Sequence, residues 1–365
     1  MNDNDDVFYS IAIQKTAGIG KRSFKRLIQI FGSANKVFSS NSEILDTIPD
    51  LKLRNLVSKI KKFNEWDRIE KEIKDANKKG IGIICLSQPE YSKNLKNIPD
   101  PPPVLYYKGN FEPSDDLAVA IVGTRMPTKY GLHHAEELSY ELSRHEITII
   151  SGLARGIDTI AHKGALKSGG RTIAVMGNGL DIIYPEENRE LFYQITKNGA
   201  IISEFPPSTP PNPYNFPKRN RLISGLALSS VIIEANLKSG SLITANFCKK
   251  QNRLLFALPG NVDFDKSKGT NKLIKEGARL FENTEDILKH ILPDKKLIKE
   301  NKTTINPKLS GDEERILELL REESRHIDEI GQVLKMEIKD VSNLLLNLEL
   351  NGNITQLPGK YYHIA

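Results

Sequence analysis

Three cations, an aromatic ring and an amide lie together in the hexapeptide Phe216 to Arg221 (FPKRNR), at the predicted start of a helix. Arginine presents a planar fork that holds phosphate oxygens, lysine adds a mobile point charge, and a phenylalanine ring offers a face on which a base can stack. This composition indicates a surface that binds a polyanion. A solvated basic turn is the alternative for such a segment in isolation, so its neighbours must decide between the two.

Six short apolar runs after residue 116 predict the elements that position this cluster. Stretches long enough for a helix separate most of them, as parallel strands with helical crossovers require. We therefore expect a Rossmann-like, doubly wound and mainly parallel α/β sheet, in which ligands bind beyond the carboxyl ends of the strands. The runs are Leu117–Val122, Ile147–Ile150, Thr172–Met176, Ala200–Ser203, Val231–Ile233 and Leu254–Leu258.

Glycine, hydroxyl and arginine residues follow several of these predicted strands. The main segments are Gly123–Arg125, Ser151–Asp158, Gly177–Asp181 and Ser239–Thr244. Glycine lets a backbone approach an oxyanion closely, and arginine supplies the countercharge. Any one of these loops could simply be a tight turn between a strand and a helix. Their repetition at successive strand ends favours a phosphate-lined groove.

Motifs for nucleotide cofactors and metals are absent. The sequence contains neither a Walker phosphate-binding loop nor Gly-x-Gly-x-x-Gly after the first predicted strand, and its seven histidines and two cysteines lack metal-ligand spacing. We expect no cofactor, no metal site and no catalytic residue. The strand-end residues Asp158, Asp181, Glu204 and Glu234 are acid or base candidates by position only, and could equally cap helices or orient arginines. His162 could face the groove or simply pack.

Composition is that of a chain with two or three domains and a mild basic excess. The 365 residues include 52 Lys and Arg against 46 Asp and Glu, a net charge of +6, which permits nucleic-acid binding without proving it. Cys85 and Cys248 lie in apolar segments, which favours reduced thiols and a cytoplasmic location. We expect no secretion signal and no membrane-spanning segment.

The first predicted domain, residues 1–80, has the pattern of a helix-hairpin-helix (SAM-like) fold. Ile11–Phe31 is predicted to be helical on both sides of Gly18-Ile19-Gly20, and four cations follow these glycines: Lys21, Arg22, Lys25 and Arg26. In this motif the hairpin backbone approaches a phosphate. DNA contact and simple helical packing are equally good interpretations here. Ile44–Phe63 is a degenerate second copy, for which packing is the better interpretation.

The other predicted boundaries are a sheet domain at 81–292, a Lys-rich linker at 293–309 and a winged-helix domain at 310–365. The last domain shows three predicted helices and a hairpin that turns at Pro358-Gly359. Its recognition helix carries Lys339 against Asp340 and Glu349, a net charge of −1 that disfavours DNA reading. We hypothesise a protein-interaction or accessory role for this domain.

An ordered series of segments resembles the DNA processing protein A family (DprA, also called Smf). The series spans about residues 90 to 280. Thr124 stands where the family often has serine, and Gln251-Asn252 replaces a frequent glycine. The matching segments are Tyr91–Asn110, Ala120–Arg125, Ser151–Ala165, Gly179–Asn188, Ser203–Pro206, Phe216–Gly225 and Ser239–Ala278.

This resemblance implies a cytoplasmic homodimer without enzymatic activity. It implies a protein that binds and protects single-stranded DNA and loads the recombinase RecA during natural transformation. The alternative is a nucleotide-processing enzyme similar to nucleoside-monophosphate phosphoribohydrolases, because Glu234 and Ser239–Thr244 loosely resemble their strand ends. The DNA-binding residues that the resemblance implies are Gly123, Thr124, Arg125, Ser151, Gly152, Arg155, Gly156, Phe216, Lys218, Arg219, Asn220 and Arg221.

Overall fold

A computed structural model describes residues 3–41, 50–292, 310–350 and 353–364. The described residues belong to two compact units, one that ends at 292 and one that begins at 310. The linker predicted at 293–309 lies outside the described residues. So do residues 42–49, which include the first part of the predicted second helix-hairpin-helix copy.

A nine-stranded sheet forms the centre of the larger unit. Its order is β1-β2-β6-β5-β4-β3-β7-β8-β9, with β3 to β9 parallel and the β1–β2 and β2–β6 pairs antiparallel. All six predicted strands are confirmed. The strands are β1 Gly82–Cys85, β2 Val104–Gly109, β3 Ala118–Val122, β4 Thr148–Ser151, β5 Thr172–Met176, β6 Gly199–Ser203, β7 Ser229–Ile232, β8 Leu254–Ala257 and β9 Arg279–Leu280.

Strands β3 to β7 are buried along their whole length, which explains their continuous runs of valine, isoleucine and alanine. Ala120 in β3 is in register with Ile150 of β4 on one side and with Ser230 of β7 on the other. The chain therefore winds outward from β3 in both directions. The boundary between β3 and β7 is the switch point where doubly wound sheets bind their ligands.

Helices cover the sheet and connect its strands. In the described part of the chain, none of them combines the length and apolar character that a membrane span needs. The helices that follow the first strand are α6 Lys93–Lys96, α7 Lys129–Arg144, α8 Ile157–Lys167, α9 Arg189–Lys197, α10 Asn215–Leu226, α11 Ser241–Lys250, α12 Asp265–Lys275 and α13 Thr284–Ile291.

The N-terminal helices pack on this sheet and share its core. Phe24 and Leu27 belong to the same buried cluster as Leu95 and Ile98. The first predicted hairpin is present, and Gly18 in its turn has a φ of 88°, a conformation that favours glycine. Independent folding of residues 1–80 stays a prediction. The described helices are α1 Asp3–Lys15, α2 Lys21–Phe31, α3 Ala34–Ser39, α4 Leu51–Ile60 and α5 Trp66–Lys78.

The smaller unit has the predicted winged-helix fold. Its three-stranded sheet has the order β10-β12-β11, and helices pack on it around Ile316, Ile330, Val341 and Leu345. Residues 310–365 contain six Lys and Arg against eleven Asp and Glu, a net charge of −5. The elements are α14 Gly311–Glu322, β10 Arg325–His326, α15 Ile327–Leu334, α16 Ile338–Leu350, β11 Ile354–Leu357 and β12 Tyr361–Ile364.

Candidate functional site

A cavity of about 530 Å³ opens at the switch point of the sheet. Its walls come from the loops that follow β3, β4 and β7, and from the first turns of α10 and α11. We call it the strand-end groove. The predicted site residues that line it are Gly123, Arg125, Phe216, Arg219 and Asn220. The other predicted residues lie outside this lining.

Two aromatic rings stand together in the groove. Phe216 and Tyr184 are tilted by 32° with centroids 5.6 Å apart, and Tyr184 is 44% exposed. A Cβ on Gly177 would lie 2.8 Å from the Phe216 ring, so this glycine makes room for the aromatic pair. Sequence reasoning missed Tyr184, which follows β5 in an irregular segment. The available signal was an aromatic residue three positions after Gly177–Asp181, a strand-end segment that the sequence had already indicated.

Two of the predicted cations of the region are free to meet a ligand. Arg125 lines the groove and is exposed, and Lys218 is exposed on the first turn of α10, outside the lining. Neither has an ion-pair partner among the described residues. Arg155 is also exposed, but its guanidinium pairs with Glu187. Lys238 lines the groove as well and was not predicted. It follows β7 as Arg125 follows β3.

Arg219 lines the groove but is only 4% exposed, so it is not the free cation that the prediction assumed. Its Nη1 donates hydrogen bonds to the carbonyl oxygen of Gly152 at 2.7 Å and to that of Val175. Burial lowers the pKa of this guanidinium to about 10, so it remains protonated at neutral pH. Arg219 therefore links the carboxyl ends of β4 and β5 to α10, and its charge acts from beneath the groove.

Asp158 is the acidic group beside Arg219. It is buried, and its Oδ2 accepts a hydrogen bond from the Gly152 backbone N–H at 3.1 Å. Burial raises the pKa of the carboxyl to about 6, although Arg219 and Arg125 nearby favour the charged form. A Cβ on Gly152 would come within 2.7 Å of this carboxylate, so glycine there makes room for the Arg219 and Asp158 side chains.

Arg221 also differs from the prediction, since it is 3% exposed and bonded on all sides within the protein. Its Nη1 donates to the Asp100 carbonyl oxygen at 2.7 Å, and its Nη2 pairs with the Glu204 carboxylate. Lys21 donates to the same carboxylate at 2.6 Å, and burial lowers the pKa of Lys21. Arg221 thus connects α10 to the end of β6 and to α2.

Ser151, Gly152 and Gly156 are likewise packing residues. Ser151 is buried and donates to the Ile121 carbonyl oxygen at 2.6 Å. Gly156 has a φ of 78°, and a Cβ there would lie 2.5 Å from the Thr124 carbonyl oxygen. The glycines therefore allow protein groups to approach one another at this edge.

Thr124 and Asn220 complete the predicted set. Thr124 Oγ1 accepts a hydrogen bond from the Met126 N–H at 3.3 Å, which stabilises the turn that carries Arg125. Asn220 Nδ2 donates to the Gly240 carbonyl oxygen at 3.3 Å and connects α10 to the loop before α11. The second bond fixes two walls of the groove relative to each other.

The strand-end acids outside the groove also have structural partners. Glu234 is buried and accepts hydrogen bonds from both the N–H and the hydroxyl of Thr128, which caps α7. Asp181 pairs with Lys79 at 2.6 Å. His162 is fully buried, its Nδ1 lies 2.7 Å from Thr172 Oγ1, and burial lowers its pKa to about 3. Among the described residues, no group of three or more metal-ligating side chains occurs.

Fold and groove together define a Rossmann-like protein with an attached winged-helix unit. Residues 82–292 match the family model of the DNA recombination-mediator protein A, and residues 300–360 match that of the DprA winged helix domain. The chain belongs to the DNA recombination-mediator protein A family, whose members are DNA-processing proteins. The family resemblance of the sequence is confirmed.

Curated relatives are similar along most of the chain. Protein Smf of Synechocystis is 33% identical over 397 aligned positions, which cover 98% of this chain and 99% of that protein. The DNA processing protein DprA of Bacillus subtilis is 38% identical over 261 positions, 71% of this chain and 87% of that protein.

Solved structures agree with the fold. DNA processing protein A of Streptococcus pneumoniae aligns with a TM-score of 0.64 and 32% identity, covering 77% of this chain and 96% of that one. The Helicobacter pylori protein aligns with a TM-score of 0.53 and 35% identity, covering 59% of this chain and 96% of that one. Its structure concerns a single-stranded DNA binding mode.

Proposed function

We propose that the chain binds single-stranded DNA in the strand-end groove. The observation that carries this proposal is the juxtaposition of the Phe216–Tyr184 ring pair with Arg125, an exposed arginine without an ion-pair partner among the described residues. Aromatic faces stack on any base, and cations hold phosphates whatever the sequence. The groove is therefore suited to a single strand of any sequence. The Helicobacter relative, a single-stranded DNA binder, supports the proposal.

Membership of the family supports a more specific role. We propose a cytoplasmic homodimer that protects incoming single strands and loads RecA onto them during natural transformation. Cys85 and Cys248 are free and buried, which fits a reducing compartment. A strand bound through its phosphates and base faces in an open groove leaves base edges accessible to a recombinase. The test is RecA filament assembly on coated strands, with an Arg125→Ala variant as the comparison.

The enzymatic alternative lacks its proposed acidic residue in the groove, although Ser239 and Thr244 line it. Both carboxylate oxygens of Glu234 are engaged by Thr128, and this carboxylate lies outside the groove lining. A carboxylate with both oxygens held in this way is poorly placed to transfer a proton to or from a nucleotide. Incubation with nucleoside monophosphates tests this alternative. Robust release of free base would establish the enzyme and overturn the proposal of a pure binder.

Titration of single-stranded DNA at several salt concentrations tests the groove directly. Arg125→Ala should weaken binding similarly for different sequences and reduce the salt slope by roughly 0.7 for each phosphate that is no longer neutralised. Lys163→Ala is the matched control, because Lys163 is exposed on α8 and is not part of the groove lining. Equal effects of the two substitutions would place the strand elsewhere.

A further inference from the structure

The positive charge of the chain is concentrated near its N-terminus. Residues 15–62 contain eleven Lys and Arg against three Asp and Glu, a net charge of +8, whereas the whole chain carries +6. All remaining residues together, including those of the groove, therefore carry −2. A charge density of this size on one small region indicates an interaction with a polyanion.

Helix α2 divides its four hairpin cations between two faces. Lys21 and Lys25, one turn apart, point to the sheet, where their ammonium groups donate to Glu204 at 2.6 Å and to the Ile98 carbonyl oxygen at 2.8 Å. Arg22 and Arg26, also one turn apart, are exposed on the adjacent face. Packing and ligand contact, the two interpretations of this segment, therefore apply to different faces of the same helix.

Helix α4 extends the exposed face. Near the end of α4, the Nζ of Lys59 lies 3.7 Å from the position that a Cβ on Gly18 would occupy. Just before the start of α4, the carboxylate of Asp50 pairs with Arg26 at 2.7 Å. The helix thus runs alongside the hairpin and α2. Lys52 and Lys59 are exposed and seven residues apart, so they lie on one face of α4. We call Arg22, Arg26, Lys52 and Lys59 the hairpin surface.

Aromatic and apolar groups are scarce on this surface. Among residues 6–41, 50, 52 and 54–78, whose side chains the structure describes, Ile30 is the one large apolar side chain with high exposure, and the rings of Phe8, Tyr9, Phe38 and Trp66 pack on one another. A protein partner would require an apolar or aromatic centre, and a single strand would require a stacking face. The phosphate backbone of duplex DNA requires cations alone.

We propose that the hairpin surface is a second nucleic-acid site that binds the backbone of duplex DNA, separate from the strand-end groove. The contacts of Lys21 and Arg221 with Glu204 connect α2 to α10, the helix that carries Phe216 and Lys218. A chain with both sites would hold a single strand and the duplex that adjoins it. Duplex binding by the hairpin surface would depend on the cations of that surface and not on the function of the groove.

The test uses the full chain, a blunt duplex and an oligothymidine of equal length. The variant Arg22→Gln/Lys59→Gln should lower duplex affinity about tenfold and reduce the duplex salt slope by about 1.8, or 0.9 for each phosphate that loses its cation. Its affinity for oligothymidine should not change. The matched control Lys163→Gln/Lys197→Gln removes the same charge from exposed positions on α8 and α9, and should alter neither affinity.

Three results would overturn the proposal. An equal loss in the control would show an effect of net charge alone, and an equal loss for oligothymidine would make the hairpin surface part of the single-strand path. Displacement of the duplex by polyglutamate as effectively as by unlabelled duplex would indicate an acidic protein as the partner.

Thermal unfolding checks that the variants fold, and the charge-conserving variant Arg22→Lys/Lys59→Arg should keep duplex binding. The proposed single-strand site in the groove is tested separately, by measuring how Arg125→Ala/Lys218→Ala binds oligothymidine.

Discussion

The strand-end groove and the hairpin surface are both basic, but they use their cations differently. In the groove, Arg219 is buried beneath an aromatic pair and Arg125 is left exposed. On the hairpin surface, Arg22 and Lys59 are exposed and no aromatic ring accompanies them among the described residues. The difference shows that local charge does not determine what a basic segment binds. The groups beside the cations decide between a single strand and a duplex backbone.

The largest expected effect is on stability and separates buried from exposed arginines. Arg219→Met should lower the free energy of unfolding by about 3–5 kcal/mol, because it removes the buried positive charge beside Asp158 and the donor that two buried carbonyl groups share. Arg22→Met should change it by less than about 0.5 kcal/mol. Urea denaturation measures both. Equal destabilisation would mean that the exposed arginine also has a packing role.

Removing the two predicted free cations in and beside the groove should have the next largest effect. Arg125→Ala/Lys218→Ala should weaken single-strand binding about 100-fold, roughly tenfold for each cation removed, and should leave duplex binding unchanged. Fluorescence anisotropy with both probes measures this. A parallel loss of duplex binding would show that the groove and the hairpin surface belong to one binding site.

Removing the Phe216 ring tests whether the aromatic pair distinguishes the groove from the hairpin surface. Phe216→Ala should reduce single-strand affinity by about 1–3 kcal/mol without altering its salt slope, because every cation that neutralises a phosphate remains. Phe216→Tyr is the conservative control and should retain affinity. Duplex binding should be indifferent to both substitutions. A flatter salt slope in Phe216→Ala would mean instead that the ring positions Lys218 or Arg125.

The smallest expected effect is a pH dependence that belongs to the groove alone. Asp158 has a pKa of about 6, so it is ionised at pH 7.5 and becomes protonated below pH 6. Loss of its negative charge beside Arg125 favours an incoming phosphate, so single-strand affinity should rise a few-fold as the pH falls through 6. Asp158→Asn should abolish this change. Duplex affinity should stay constant, because lysine and arginine do not titrate in this range.

The sequence predicted the sheet and the edge at which its loops meet, because buried parallel strands are continuous apolar runs that turn residues interrupt. It did not predict which cations of the hexapeptide are free. Helix α10 is buried on almost every side after Lys218, so it lacks the amphipathic period that separates inward from outward positions. Tyr184 escaped notice for a related reason, since an irregular segment has no period at all.

The first two strands, β1 and β2, were missed as strands. β1 has only four residues, and β2 follows Pro101-Pro102-Pro103, a sequence typical of a loop. Their antiparallel pairing extends the sheet beyond β6 and depends on contacts distant in sequence. Local patterns do not contain that information.

The ion pairs around Glu204 have a practical consequence for dissecting the protein by truncation. A chain that begins after Gly80 would keep the buried carboxylate of Glu204 and its partner Arg221, but would lose Lys21 and the rest of α2. The shortened protein would differ from the parent in the seating of α10 as well as in the missing helices. Reduced activity of such a fragment would therefore not, by itself, assign that activity to the N-terminal residues.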